Sequence, residues 1–473
     1  MRNTERVWDL ADAKREDFIA LADRVWEIPE IAYTEYESVA EHTAMLNRQG
    51  FRVQENVADI PTAVIGEAGE GGPVIAILGE YDALPGLSQV AGIAEPKEVV
   101  PGGNGHGCGH NLLGSAALLA ATAVKDYLAD QGIQGRVRYY GCPAEEGGAA
   151  KAFMARAGAF ADVDIAISWH PASFCHVDHA HSLANTRIDF SFSGRASHAA
   201  AAPHLGRSAL DAVELTNVGV NYLREHVPAD SRIHYAMLES GGIAPNVVQA
   251  FAKVRYAVRS RDLPGMQRLL ARVIKVAEGA AMMTDTRLQT RIISAVSNLL
   301  GNSALERAMH GNFERLGGVP FDAADLDYAR RIQATLSDED VDNDFLRMGI
   351  AHIEAPLHDS VVDLGVRGEA MIGSTDVGDV SWVVPTVQAR VATHAIGTPG
   401  HSWQVTAQGK APAAHKGMVH AAKIMAGTAV DCLTTPDLIE AARADHQARL
   451  AKSPYRCPIP DDVSPPIQPR RAA

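Results

Sequence analysis

Cysteine is scarce in this chain: 473 residues hold five, at Cys108, Cys142, Cys175, Cys432 and Cys457. An odd and dispersed set makes no disulfide framework and points to a reducing compartment, so the expected location is the cytoplasm. Long apolar runs are also missing. No stretch reaches the ~18 consecutive apolar residues of a membrane span, and the N-terminal MRNTERVWDLADAKREDF lacks the apolar core of a secretory signal. Positive charge is outnumbered, 43 Lys and Arg against 57 Asp and Glu, for a formal net charge of −14. That balance argues against a nucleic acid or an anionic membrane as partner. No GxGxxG fingerprint or Walker sequence suggests a nucleotide. No fixed-period repeat or low-complexity tract suggests a solenoid or a fibre.

What is present is an ordinary globular composition, 47% hydrophobic and 21% charged, in a chain long enough for more than one domain. Phe18, Leu21 and Val25 share one helical face. VIAILG (ending at Gly79), RVRYYG and VDIAISWH read as buried strands. Their exits carry Glu80 and Asp82, then Glu145 and Glu146, then His170. LLGSAALLAATAVKDYL reads as a helix. Parallel strands joined by helices leave their carboxyl ends open to ligands. The expectation is a three-layer α/β domain whose polar exits gather near one sheet edge.

Between Thr186 and Val296 the pattern changes to strand, helix, strand, strand, helix, strand, the ferredoxin-like order. Ile188, Phe190 and Phe192 should line one face of its first strand. The expected organisation is a catalytic domain over residues 1–185 and 297–456, an inserted unit over 186–296, and an extended C-terminal tail over 457–473. LSDEDVDNDFLRMG is expected as an acidic loop or short helix, GSTDVGDVSW as a polar turn, and APAAHKGMVHAAKIMAGTAVDCL as a long helix.

NGHGCGHN, Asn104 to Asn111, places Cys108 and His110 two apart among glycines. Thiolate and imidazole suit zinc, and carboxylate also suits manganese. Alone, the segment reads as well as a buried thiol and a hydrogen-bonded histidine in a turn. CPAEEGG adds Glu145 and Glu146. Adjacent side chains diverge, so one carboxylate can hold a cation while the other takes a proton from water. Alone, this segment is equally an acidic surface turn. His170 in SWHP adds a further donor. Taken together, the three segments favour a hydrolytic metal centre over three unrelated turns. His176, His179 and His181 have no second ligand cluster and read as surface or hinge histidines. Cys142 reads as a core thiol.

GEYDALPGLSQ, NGHGCGHNLLG, GCPAEEGG, SWHP, SGRASHAA, PHLGRSALDA, GGIAPNVVQA, STDVGDVSW, TPGHSWQ and AHKGM occur in this order over nearly the whole chain. The set resembles the amidohydrolase branch of the family that contains aminoacylases, carboxypeptidase G-type enzymes and succinyl-diaminopimelate desuccinylases. The resemblance implies a metallopeptidase-like catalytic domain, an inserted ferredoxin-like α/β lid that also builds a homodimer, and two divalent metal ions, zinc or manganese. It implies Cys108, His110, Glu146, His170 and the distant His401 as metal ligands, and Glu145 as general base. His198 matches a lid histidine that reaches the partner subunit's site and donates to an oxyanion. Asn246 and Arg259 match substrate-binding positions, with Arg259 gripping a carboxylate through its planar fork. Arg255, on the same strand face, has the weaker claim.

Asp82 is expected to orient an imidazole from behind the ligands. Two positions depart from the pattern. Glu80 stands where relatives carry His or Asp, and Asn111 stands where the branch carries Asp, although Asn111 also suits a helix N-cap. The implied reaction is hydrolysis of an amide between an N-acyl or N-aryl group and an amino acid. Aminobenzoyl-glutamate, giving aminobenzoate and glutamate, is the expected substrate. The alternatives are an aminoacylase or dipeptidase acting on other N-acyl amino acids, and a chain that needs a second subunit for activity.

Overall fold

The computed structural model describes residues 4–368 and 373–468. Its strands, in chain order, are β1 (Arg52–Glu55), β2 (Val64–Glu70), β3 (Val74–Glu80), β4 (Gly135–Cys142), β5 (Ile165–Ala172), β6 (His176–Val177), β7 (Ala184–Ser193), β8 (Arg232–Glu239), β9 (Phe251–Ser260), β10 (Arg287–Val296) and β11 (Thr386–Ala392).

Seven of these form a mixed sheet in the order β1-β2-β4-β3-β5-β11-β6. β4, β3, β5 and β11 run parallel at its centre, with antiparallel strands at both edges. Every residue of β3 is buried because both of its faces are covered. Ile75 and Ile77 pack into the core shared with the helices Thr4–Glu27, His110–Gln131 and Pro412–Thr434. Ala76 and Leu78 pack on the other side, against residues of the helices Ala150–Arg156 and Val377–Val383. Three layers result, as expected for an α/β domain. The helix His110–Gln131 is long and apolar enough to cross a membrane by length and composition, but most of it is buried inside the molecule. It is a core helix.

β10-β7-β9-β8 form a second, antiparallel sheet. The helices Ala209–Leu223 and Leu263–Thr284 cover one face of it, burying Ile188, Phe190 and Phe192 as their alternation requires. Ser208 and Asp262 cap these helices by accepting from the backbone N–H groups of Asp211 and Gly265. The uncovered face is polar. Register places Asn185 opposite Arg259 and Asp189 opposite Arg255.

Several local expectations change. β11, TVQARVA, is a central strand that the sequence pattern does not reveal. GSTDVGDVSW is not simply a turn, since a helix begins at Val377. LSDEDVDNDFLRMG resolves to the helix Asp338–Met348, started by a Ser337–Asp340 capping box. Asn111 is not an N-cap: the helix starts at His110 behind Gly109, which has φ +77°. The buried Asn111 amide instead donates to the Gly409 carbonyl at 3.1 Å. From Pro454 to Gln468 the chain has no helix or strand. It is held down by Arg156, which donates to the carbonyls of Pro460 and Val463 at 2.6 and 2.8 Å. The final five residues of the expected tail lie outside the described residues.

Candidate metal centre

The carboxyl ends of the parallel strands deliver the polar side chains to one place. Asp82, just past β3, accepts from His110 Nδ1 at 2.8 Å and from the Glu146 backbone N–H at 2.8 Å. A carboxylate only accepts, so Nδ1 of His110 carries a proton and Nε2 is the ring nitrogen left to face the site. That nitrogen is buried and has no hydrogen-bond partner. His170, on β5, is held the same way. Its Nδ1 lies 2.8 Å from the Pro171 carbonyl, and its Nε2 lies 3.3 Å from Cys108 Sγ. Both rings therefore turn Nε2 toward the thiol, with the backing expected of metal-binding histidines.

His401 comes from a loop about 300 residues away in sequence. Its backbone N–H donates to the Gly107 carbonyl at 3.0 Å, which pins that loop to the one carrying Cys108. His401 has φ +56°, a left-handed conformation that costs a non-glycine residue on the order of 1–3 kcal/mol. Its Nε2 lies 3.3 Å from Glu146 Oε1, an oxygen with no aligned hydrogen-bond donor.

Two donor groups follow, Cys108–His110–His170 and Cys108–Glu146–His401, with ligand atoms inside each group within 4.8 Å of one another. They share the thiol. The converging lone pairs and the sulfur, nitrogen and oxygen donors fit a pair of divalent cations such as zinc or manganese. A third group, Glu80–His110–Glu145, meets the same distance limit.

Protons compensate the anionic donors in part. The proximity of Cys108 and then Glu146 pushes His401 up to about 10. Burial, then the charges of Glu80, Glu146 and Asp376, hold the Glu145 carboxyl well above its usual range.

The loop carrying Glu145 and Glu146 is braced at both ends. Ala144 and Ala149 have φ of +56° and +58°. The buried Glu35 carboxylate accepts from the Ala144 N–H at 2.9 Å and the Tyr33 N–H at 3.0 Å. The Tyr33 hydroxyl donates to the Gly148 carbonyl at 2.8 Å. Behind the loop, Lys151 is fully buried between Glu80 Oε1 at 2.7 Å and Asp376 Oδ1 at 2.6 Å. Burial disfavours its charge, but the two carboxylates more than offset that. Glu80 is thereby anchored by one oxygen while the other lies 3.3 Å from His110 Nε2.

The cleft in front of these groups has a volume of about 310 Å³. Arg259 lines it, as does Arg187 from the neighbouring strand. Arg255 does not line it. Its guanidinium forks onto Asp189 at 2.7 and 3.1 Å, the ion pair expected of the weaker candidate. His198 and Asn246 sit together in the unit built on the second sheet but away from this cleft. Ala199 N–H donates to the Asn246 carbonyl at 2.9 Å, and both side chains are exposed. His198 Nδ1 accepts from the N–H groups of Ala200 and Ala201, leaving Nε2 to face outward. His181 lines the cleft mouth, while His176 and His179 lie in an adjoining recess. Cys142 is a buried core thiol.

Sequence reasoning did not single out Glu35, Lys151, Arg187 or Asp376. Only Asp376 stands in one of the family-like motifs, and a lone buried lysine or glutamate has no spacing signal of its own.

The sequence pattern of peptidase family M20/M25/M40 matches residues 76–442. One of the component chains of the p-aminobenzoyl-glutamate hydrolase of Escherichia coli (strain K12) is 45% identical over 468 residues, covering 97% of each chain. The Xaa-Arg dipeptidase of Mus musculus is 27% identical over 465 residues, covering 95% of this chain and 92% of that one. Among solved structures, a dinuclear metal-binding peptidase of the M20 family from Bacillus subtilis matches with a TM-score of 0.59 at 18% identity, covering 90% of this chain and 99% of that one.

Proposed function

The chain belongs to peptidase family M20/M25/M40, and from that premise we propose that it hydrolyses the amide of aminobenzoyl-glutamate to aminobenzoate and glutamate. The observation that carries this reading is the pair of donor groups sharing Cys108, with the Glu145 carboxylate beside them in the cleft. The E. coli relative's substrate supplies the specific amide.

Cys108, His110 and His170 would hold one ion, and Cys108, Glu146 and His401 the other. Bound there, two such ions activate water and polarise the scissile carbonyl. Glu145 takes the proton from the attacking water and returns it to the leaving nitrogen, a transfer worth about 10²- to 10⁴-fold in rate. Asp82 keeps His110 in the tautomer that faces the ions. Arg259 holds the free α-carboxylate of the substrate.

His198 and Asn246 act on the partner subunit's cleft in a homodimer. Exposed Tyr235, Met237 and Leu238 on the edge strand β8, with Val218 and Tyr222 on the adjacent helix, support that assembly. Residues 186–296 form the lid and dimerisation domain. Residues 1–185 and 297–456 form the catalytic domain, followed by the tail. The five unpaired cysteines support a cytoplasmic location.

The test is release of aminobenzoate by the purified chain loaded with zinc or manganese, against a panel of N-acyl amino acids and dipeptides. Aminobenzoyl-glutamate should give the highest kcat/KM with this chain alone. A higher value for aliphatic N-acyl amino acids or dipeptides would replace the assignment. The E. coli hydrolase has two kinds of component chain, so activity that arises only on adding a second chain would make this protein one half of the enzyme.

A further inference from the structure

The polar face of the lid sheet turns two guanidinium groups into the cleft. Register sets Asn185 of β7 opposite Arg259 of β9, and Arg187 follows two residues along on the same face as Asn185. Both arginines line the cleft with Glu145 and Glu146. Neither forms an ion pair with a carboxylate among the described residues. The sole hydrogen bond of Arg187 there is to the Gly147 carbonyl at 3.2 Å. Arg259 Nε is buried without a partner. Two other cations on the same face of β9, Lys253 and Arg255, show what structural use looks like here, because both pair with Asp189 at 2.7 Å. Arg390, across the cleft, is likewise paired with Asp178 at 2.8 Å.

Two half-buried guanidinium groups side by side, neither held in an ion pair among the described residues, are costly without an anion at contact distance. Each guanidinium fork matches one carboxylate. A ligand with a single carboxylate would leave one of them bare.

We propose that Arg187 is a second carboxylate-binding residue, which with Arg259 fits the cleft to an amino-acid portion bearing a carboxylate on its side chain as well as on its backbone. This rests on the amide-hydrolase reading above and narrows it to acidic leaving amino acids. Burial, then the charge of Arg255, holds Arg187 below its ordinary range against the pull of Glu145 and Glu146; burial, then the charge of Arg187, does the same to Arg259, and a dianionic ligand relieves both. A leaving arginine would instead add a third guanidinium to the pair, so basic dipeptides are selected against.

The experiment compares aminobenzoyl-glutamate with aminobenzoyl-glutamine, its neutral isostere, in the wild type, Arg187→Gln, Arg187→Lys and Arg259→Gln. The wild type should prefer glutamate. Arg187→Gln should lower kcat/KM for glutamate by about 10- to 100-fold, chiefly through KM, and leave glutamine nearly unchanged. Arg187→Lys keeps the charge without the fork and should retain part of the preference. Arg259→Gln should lower both substrates together, since both carry the α-carboxylate. Equal losses for both substrates in Arg187→Gln would overturn the proposal, because Arg187 would then only prop the loop through Gly147. A wild type that does not distinguish the two substrates would also overturn it.

A wild type that cleaves neither would strike the hydrolase reading instead. Calorimetry with free glutamate and glutamine then decides the subsite. Tighter binding of glutamate, lost in Arg187→Gln, upholds it, and equal binding ends it.

Discussion

On the sheet side of the cleft, the buried Lys151 holds Glu80 and Asp376 at 2.7 and 2.6 Å. On the side of the second sheet, Arg187 and Arg259 meet no carboxylate at ion-pair distance among the described residues. Both groups place charge where water is restricted, yet one is closed on itself and the other is open. Charge satisfied within the chain makes a rigid support, since removing one member strands the others in a low dielectric. Charge left unsatisfied is held ready for a ligand. The candidate metal donors between them combine the two conditions. Asp82 and the Pro171 carbonyl fix the histidines from behind, while His110 Nε2 and Glu146 Oε1 stay unpartnered in front.

The largest effect should come from the open carboxylate at the centre. Glu145→Gln should lower kcat by about 10²- to 10⁴-fold with metal content unchanged. A near-normal rate would take the proton transfer away from Glu145. Next, the shared thiol can be set against a terminal donor. Cys108→Ala should lose both ions by elemental analysis of the purified protein, whereas His401→Ala should lose one, because only Cys108 belongs to both donor groups. Equal losses would show that the two positions are not bridged.

The closed network should register in stability. Lys151→Met leaves Glu80 and Asp376 facing each other without a cation and should cost about 3–5 kcal/mol in denaturant unfolding, as breaking a buried ion pair does. A loss under about 1 kcal/mol, the size of a surface pair, would show that the triad is not a support. The smallest effect tests a buried group kept neutral. His42 is fully buried, and burial lowers it to about 3. As pH falls below the unfolded histidine value of ~6.5, the unfolded chain binds a proton that the folded one refuses. Stability should therefore fall by about 1.4 kcal/mol per pH unit from this residue down to its folded value. His42→Gln should flatten the slope of unfolding free energy between pH 7 and 5 by about 1 kcal/mol per unit on average, approaching the full value toward pH 5. An unchanged slope would assign the acid sensitivity elsewhere.

Much of the fold could be read directly from local pattern. Apolar runs marked β3 and β5, Val137, Tyr139 and Tyr140 interleaved with two arginines marked β4, alternation marked β7, and the helix and strand order between Thr186 and Val296 matched the second sheet. β11 escaped because its polar residues Thr386, Gln388 and Arg390 alternate with Val387, Ala389 and Val391, and Gln388 and Arg390 line the cleft. Such a strand looks half-exposed even at the centre of a sheet. Asn111 misled for a related reason: an N-cap and a buried amide that serves a distant carbonyl use the same side chain.

At the site, chemistry and position separate in the same way. Cys108, His110, Glu145, Glu146 and His170 were nameable as candidates from residue type, a glycine-rich loop and two strand exits, because the three segments together favour a metal centre although each alone has a structural use. His401 needed a family resemblance. Lys151, Glu35 and Arg187 carried no local signal at all. The sequence by itself determined which donors the chain owns and which strands would carry them to one edge, since short-range periodicity decides burial. Only the tertiary structure decided which charges are neutralised inside the chain and which are left to meet a ligand. Pairing across distances such as Lys151 to Asp376 or Arg187 to Gly147 is fixed by how layers pack, and no run of neighbouring residues encodes that.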